Sequence, residues 1–231
     1  MNTNSNSYII IYVAVMVVTV AFVLAFTAGA LKERQERNIE LDKKKQILAS
    51  LNVDATAGDV EALYSQYVKQ IIVVDYYGKP VDGIDGFTID LERENKKPEN
   101  ERNLPVYICK KDGRTYYILA LHGSGLWGPI WGYISLKEDK NTVLGVHFSH
   151  KGETPGLGDE IGHKTFHVLF QGKEIFKKGE LKSIAIVKPG KSVDGMDFVD
   201  GISGGTITCQ GVDAMLLNGL EAYKGFLRIK N

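Results

Sequence analysis

The sequence predicts an α+β fold: a single N-terminal transmembrane helix followed by a domain built on a mixed, largely antiparallel sheet. Three observations carry this expectation. An uncharged apolar run fills residues 8–31. Short apolar runs of strand length, separated by turn signals, occupy the middle of the chain. One amphipathic segment, with Val212, Leu216, Leu217, Leu220, Tyr223 and Leu227 at helical spacing, closes it. Strands and helices do not alternate as a strict βαβ repeat would require, so a doubly wound parallel sheet is not expected.

Residues 8–31 read YIIIYVAVMVVTVAFVLAFTAGAL. At about 1.5 Å rise per residue such a helix spans a hydrocarbon core about 30 Å thick. Ala28-Gly29-Ala30 looks like a cleavage site for a secreted precursor. The apolar run is too long for that reading, and the leader MNTNSNS lacks the Lys or Arg of a signal peptide, so an uncleaved anchor is expected. Lys32, Arg34 and Arg37 follow the run. Counted alone they place the domain in the cytoplasm, although long domains translocate largely regardless of charge. The anchor holds Thr19 and Thr27 but no ionisable residue, which makes it a poor ion pathway.

Residues 32–50 are highly charged and read as a helical stalk, with Ile39, Leu41, Ile47, Leu48 and Leu51 among the charges. Asp59 opens a short helix with Val60, Leu63, Tyr64 and Tyr67 on one face. Residues 71–74 read as a buried strand, and residues 92–103, charged and holding Pro98, as an exposed loop. Two apolar runs, 106–108 and 115–119, flank Asp112-Gly113 and predict a hairpin with a primed turn. Residues 130–136 and 143–148 predict two more strands, 160–170 a helix stopped at Gly172, and 181–187 a further strand. The expected organisation is a leader and anchor at 1–31, a stalk at 32–58 and the domain at 59–231.

With 28 Lys+Arg against 28 Asp+Glu the net charge is zero, so no basic excess points to nucleic acid. Cys109 and Cys209 form no CxxC and no metal-ligand cluster; a single disulfide between them stays open. His163 and His167, four apart on the expected helix, lack a third ligand nearby and read as a solvated pair. His147 and His150 flank a strand end and are not expected to hold a metal. No G-x-S-x-G and no nicotinamide-binding fingerprint are present.

Three Gly-rich segments remain. In residues 200–208, DGISGGTIT, glycines permit close approach of backbone N–H groups to an anion, and a helix start lies just beyond. Ser203, Thr206 and Thr208 add hydroxyl donors. On these residues alone the segment is either a phosphate cradle or an ordinary turn with Thr208 as N-cap. Residues 153–158, ETPGLG, read as a strand-to-helix connection. Residues 123–132, GSGLWGPIWG, read as a Gly-rich loop with two core tryptophans.

Taken together, these segments resemble the FMN-binding domain family. DGISGGT resembles its flavinylation motif, D-x-x-[ST]-G-A-[ST], in which a dedicated flavin transferase moves FMN from FAD onto the last hydroxyl as a phosphoester. The resemblance implies a covalent FMN on Thr206, with Asp200, Ser203, Gly204, Gly205 and Thr208 shaping the phosphate site. Gly205 stands where Ala is usual, which leaves the loop looser. ETPGLG is similar to a segment lying near the flavin in the same family. That implies cofactor contacts for Glu153, Thr154, Gly156, Leu157 and Gly158, with Glu153 and Thr154 bonding polar ring edges and Leu157 on the ring face. The Leu126-Trp127 pair in GSGLWGPIWG, and LPVYI at 104–108, are similar to the NqrC branch, which belongs to the Na+-translocating NADH:quinone reductase. The sister branch, RnfG of the Rnf electron-transport complex, shares the other two motifs and usually lacks that pair.

What the resemblance implies is an electron-carrying subunit, inert toward NADH alone, with no catalytic acid or base. It takes electrons from an iron centre fed by the NADH-oxidising subunit, passes them to FMN on a membrane neighbour, and belongs to a six-subunit complex that exports sodium. Implied partners are the other subunits, the flavin transferase and membrane lipid. The implied location is the inner membrane, single-pass, with the flavin domain on the periplasmic side against the simple charge count. The Rnf subunit and a membrane-anchored flavin sensor are the alternatives.

Overall fold

The structure, a computed structural model, describes residues 6–55 and 58–229. Residues 1–5, most of the polar leader, lie outside the described residues, as do 56–57 at the end of the expected stalk and 230–231. The chain divides into two compact units, Met1–Lys43 and Lys44–Asn231.

A single helix, α1 (Asn6–Ser50), runs through the apolar and charged segments without a break. Its most apolar window is unburied, and it is long and apolar enough to cross a membrane. Thr19 and Thr27 donate their hydroxyls to Val15 O and Val23 O, so neither carries an unmet donor into an apolar medium. In the second unit the last turn of the helix is buried at Gln46, Ile47, Leu48 and Ser50. Just past its end Asn52 takes left-handed geometry at φ 56°, and Asn52 N–H donates to Ala49 O and Val53 N–H to Leu48 O.

Helix α2 (Val60–Tyr67) starts as expected at Asp59, whose Oδ1 accepts from Glu61 N–H and Ala62 N–H. Five strands follow: β1 (Val68–Val74), β2 (Leu104–Lys111), β3 (Arg114–Ser124), β4 (Pro129–Leu136) and β5 (Val143–His150). They form one antiparallel sheet in the order β1-β2-β3-β4-β5. The β2–β3 turn takes φ 50° at Asp112 and φ 75° at Gly113, the primed geometry that matches strand twist. Nothing lies within 4 Å of a Cβ built at Gly113. Gly113→Ala is therefore expected to cost about 1 kcal/mol, the price of an L-residue in that region and nothing more, read as a lower denaturant midpoint.

Both faces of the sheet are covered. On β3, Leu119 and Leu121 join the larger cluster, while Ile118 and Ala120 join Tyr107, Tyr133, Ile47 and Leu51 on the other side. This double burial is why the central strands read as continuous apolar runs rather than alternating ones.

Three expectations need correction. Between β1 and β2 the expected loop contains a helical turn, α3 (Leu91–Glu94), capped by Asp90, and a 3-10 turn at Glu99–Glu101. The expected helix at 160–170 is instead a 3-10 turn (Gly158–Gly162), a single turn α4 (Lys164–His167) and another 3-10 turn (Val168–Phe170). His163 breaks it by taking extended geometry, φ −90°, ψ 146°. Gly172, at φ 75°, ends the segment as expected. Residues 181–187 are two strands, not one. After the short hairpin β6 (Phe176–Lys177) and β7 (Glu180–Leu181), the chain turns at Ser183, φ 63°, where Lys182 N–H and Ser183 N–H both donate to Ile175 O. Strand β8 (Ile184–Val187) then pairs in parallel with β9 (Asp197–Asp200).

The terminal helix α5 (Thr206–Ala222) begins earlier than its apolar stripe suggests and stops at Tyr223, before a short helix α6 (Lys224–Arg228). The buried Tyr223 hydroxyl lies 2.9 Å from Pro105 O and 3.2 Å from Ala120 O, which fixes this break against the sheet. Val212, Met215, Leu216 and Leu220 of α5 are buried in the larger cluster. Cys109 and Cys209 are both buried and free, so no disulfide joins them.

Candidate functional site

The loop before α5 is held by its own backbone. Gly201 N–H donates to Val187 O at 2.7 Å, Ile202 N–H to Cys209 Sγ at 3.2 Å, and Gly205 N–H to Ile202 O at 3.1 Å. Gly204 sits at φ 78°, and a Cβ there would also press on Leu157 Cδ2 at 2.5 Å. A Cβ on Gly205 would lie 3.2 Å from Ile202 Cγ2 and Leu157 O, so the alanine usual at this place needs a shift of a few tenths of an ångström.

Gly205 is the N-cap and Thr206 the first helical residue. No side chain among the described residues caps this end, and the first helical bond runs from Cys209 N–H to Gly205 O. The N–H groups of the first turn are thus available to an anion, where the helix dipole favours negative charge. Ser203 and Thr206 are exposed. Thr208 is not the N-cap; it sits inside the first turn, 2% exposed, and its hydroxyl donates to Glu153 Oε2 at 2.6 Å.

Glu153 is engaged within the protein. It is 5% exposed, and Oε1 accepts from Trp127 N–H at 2.9 Å. Its carboxylate is occupied within the protein. Exposed neighbours nevertheless surround the helix start: Leu157, in the turn that Thr154 O makes with Leu157 N–H and Asp159 N–H, and the Leu126-Trp127 pair. Trp127 is 67% exposed, so it is not the core residue that a Gly-rich loop suggests. Trp131 is half-buried and donates its indole N–H to Gln46 Oε1 at 2.9 Å. Thr154 and Gly156 are exposed and Gly158 is buried; Asp200 is exposed at the end of β9.

The sequence reading missed Ile207, apolar and 54% exposed beside Thr206, and it missed the pairing of His150 with Asp159, 2.8 Å apart. Helical phase would have found the first. The second joins positions nine apart across a turn and carries no local signature. His163 is exposed, 2.8 Å from Glu160 Oε2, and together with Asp159 offers ligand atoms within 4.8 Å of one another. The hydrogen bonds within this group already account for the arrangement.

His167 is not solvated. It is buried with Nε2 3.0 Å from Phe148 N and 2.8 Å from Ile161 O, and its ring lies 5.0 Å from that of His147. Burial, then the neighbouring His147, pushes its pKa down to about 4. An unfolded histidine titrates near 6.5, so below that pH the unfolded chain binds a proton the folded protein refuses. The stability is complete above about pH 6.5 and is lost as pH falls towards 4, by up to about 3 kcal/mol. Denaturant midpoints measured across this window should fall, and His167→Gln should flatten the dependence.

The comparisons with known proteins agree with this geometry. The model of the FMN-binding domain matches residues 125–221, which hold Trp127, the whole of ETPGLG and the start of α5. The NqrC subunit of the Na(+)-translocating NADH-quinone reductase from Vibrio vulnificus is 31% identical over 209 residues, covering 83% of this chain and 82% of that protein. Its Pseudomonas aeruginosa counterpart is 31% identical and covers 98% of both. The crystal structure of the same subunit from Parabacteroides distasonis is 50% identical, with a TM-score of 0.82 over 87% of this chain and 98% of that one. That of NqrC from Shewanella oneidensis is 25% identical, with a TM-score of 0.70 over 82% and 97%. In sequence over nearly its whole length, and in the fold that carries the uncapped helix start, this chain belongs to the NqrC family of the Na(+)-translocating NADH-quinone reductases.

Proposed function

We propose that this chain is the electron-relaying flavin subunit of a Na+-translocating NADH:quinone reductase, with one FMN esterified through its phosphate to Thr206. The observation that carries the reading is the start of α5, where an exposed threonine occupies the first position of a helix without a side-chain cap among the described residues. An ester phosphate on Thr206 keeps a negative charge beside the free N–H groups of that turn, and 17 residues of aligned peptide dipoles favour it there. The surroundings fit the rest of the cofactor. Leu126, Trp127, Leu157 and Ile207 are apolar and exposed, the surface an aromatic ring system covers with gain.

Bound FMN supplies the electron-transfer chemistry. The residues of the chain bind and shield it. Thr206 Oγ1 makes the link, and the backbone N–H groups of the first turn, residues 206–208, hold the phosphate. Leu157 and Trp127 exclude water from the ring. Thr154, exposed, has its hydroxyl available to a polar ring edge. Electron relay needs no acid or base from the protein, and none is assigned. The apolar part of α1 anchors the chain in the cytoplasmic membrane. The flavin domain lies on the periplasmic side, where a flavin transferase reaches Thr206, and the other subunits of the reductase are the electron partners.

Intact mass of the full chain, made with and without a flavin transferase, tests the reading. Addition of one FMN ester in the first case and none in the second is the expected result. A bare polypeptide mass in both would overturn it.

A further inference from the structure

The Glu153 side chain ties all three Gly-rich segments together. It belongs to the second, holds Thr208 beside the first and Trp127 in the third. Space for its carboxylate is cleared by a glycine on either side. A Cβ on Gly125 would run into Oε1, and one on Gly158 would stand 2.6 Å from Oε2 and 2.5 Å from Thr208 Oγ1. Its backbone is fixed as well: Glu153 N–H donates to Nδ1 of His150, so Nε2 carries the ring proton and donates to Asp159 Oδ1. This much internal bonding around one buried carboxylate defines the shape of the helix start.

Two threonines compete there. Thr206 and Thr208 lie two apart on one helical turn and point to different sides of it. Thr208 has its proton committed to Glu153 and is closed from solvent, whereas Thr206 is open.

We propose that Glu153 is a positioning residue for flavin attachment. By holding Thr208 and the Trp127 loop it sets the first turn of α5 so that Thr206, and not Thr208, meets the incoming phosphorus. The role rests on the reading of Thr206 as the attachment site. In the transfer the Thr206 Oγ–P bond forms, the pyrophosphate P–O bond of FAD breaks and AMP leaves. The hydroxyl proton passes to a base of the transferase, and nothing is oxidised or reduced.

The test uses the full chain with a flavin transferase and FAD, following covalent flavin by fluorescence in denaturing gels, its position by peptide mass mapping, and folding by thermal melting of the unmodified protein. Glu153→Gln and Thr208→Val should melt cooperatively but take up flavin about tenfold more slowly or worse, since small misplacement of a reacting group is costly. Thr208→Ser, which keeps the hydroxyl, should restore the rate. Glu153→Ala should divert part of the label to Thr208. The role is overturned by Thr208→Val labelling Thr206 at the wild-type rate, or by Thr208→Ser proving as slow as Thr208→Val. The Thr208 pair decides even where Glu153→Gln melts early. Wild-type protein that takes no flavin, or label that persists in Thr206→Ala, overturns the attachment reading itself and this role with it.

Discussion

Thr206→Ala will fold like the wild type and carry no covalent flavin. The residue is exposed at the first helical position and contributes nothing to either apolar cluster. Alanine is favoured in helices, and substitutions of this kind stay within about 0.5 kcal/mol of the starting stability. The phosphoester, by contrast, needs the hydroxyl oxygen. The expected loss is therefore complete in one measurement and negligible in the other: no fluorescent band on a denaturing gel, with an unchanged melting curve. Thr206→Ser should keep the band. A fluorescent Thr206→Ala protein would move the attachment elsewhere, with Ser203 as another exposed hydroxyl on the same loop.

Phe148→Ala will act first on stability. Phe148 is fully buried on β5 and meets Phe166, His167 and Phe170, with ring centroids 6.2, 5.7 and 5.3 Å away. Those partners lie on two of the three short turns that replace the expected helix, and few hydrogen bonds of their own stabilise such turns. Truncating a buried phenylalanine costs about 3–5 kcal/mol, a large part of the stability of an ordinary domain. The denaturant midpoint should drop with little change in slope. Because His150 follows two residues later and fixes the backbone of Glu153, flavin attachment should weaken in the folded fraction as well. A variant within about 1 kcal/mol of wild type would mean that the 158–170 segment is held by something other than this aromatic cluster.

Sequence pattern reached much of this architecture. The apolar run of α1, the Asp59 cap, the Asp112-Gly113 hairpin and the strands β4 and β5 are local signals, each written in a few adjacent residues. What escaped is non-local. The turn at Ser183 exists because two N–H groups find Ile175 O, and the break at Tyr223 because its hydroxyl finds two carbonyls on the sheet. At the site, the Gly-rich segment running into the start of α5 was legible from its glycines and the helix beyond them. The commitment of Glu153 was not, since its partners are 55 positions along the chain at Thr208 and 26 back at Trp127. His167 looked solvated because a spacing of four fits an exposed face as well as a buried one; the phase was lost once His163 left helical geometry.

The end of α1 has a practical consequence for how the protein can be released from its anchor. Ile47, Leu48 and Leu51 are fully buried, and Gln46 holds the indole of Trp131. The charged stretch ahead of them, residues 32–40, is exposed helix, where a protease recognition site can be inserted. A cut there sheds the soluble body with its stabilising last turns intact. A cut a dozen or more residues later, past Asn52, strips Ile47 and Leu51 from the cluster under the sheet, and buried Leu48 with them, and leaves a fragment prone to clump. The tether and the globule overlap, and the safe place to part them lies inside what looks, from charge alone, like mere leash.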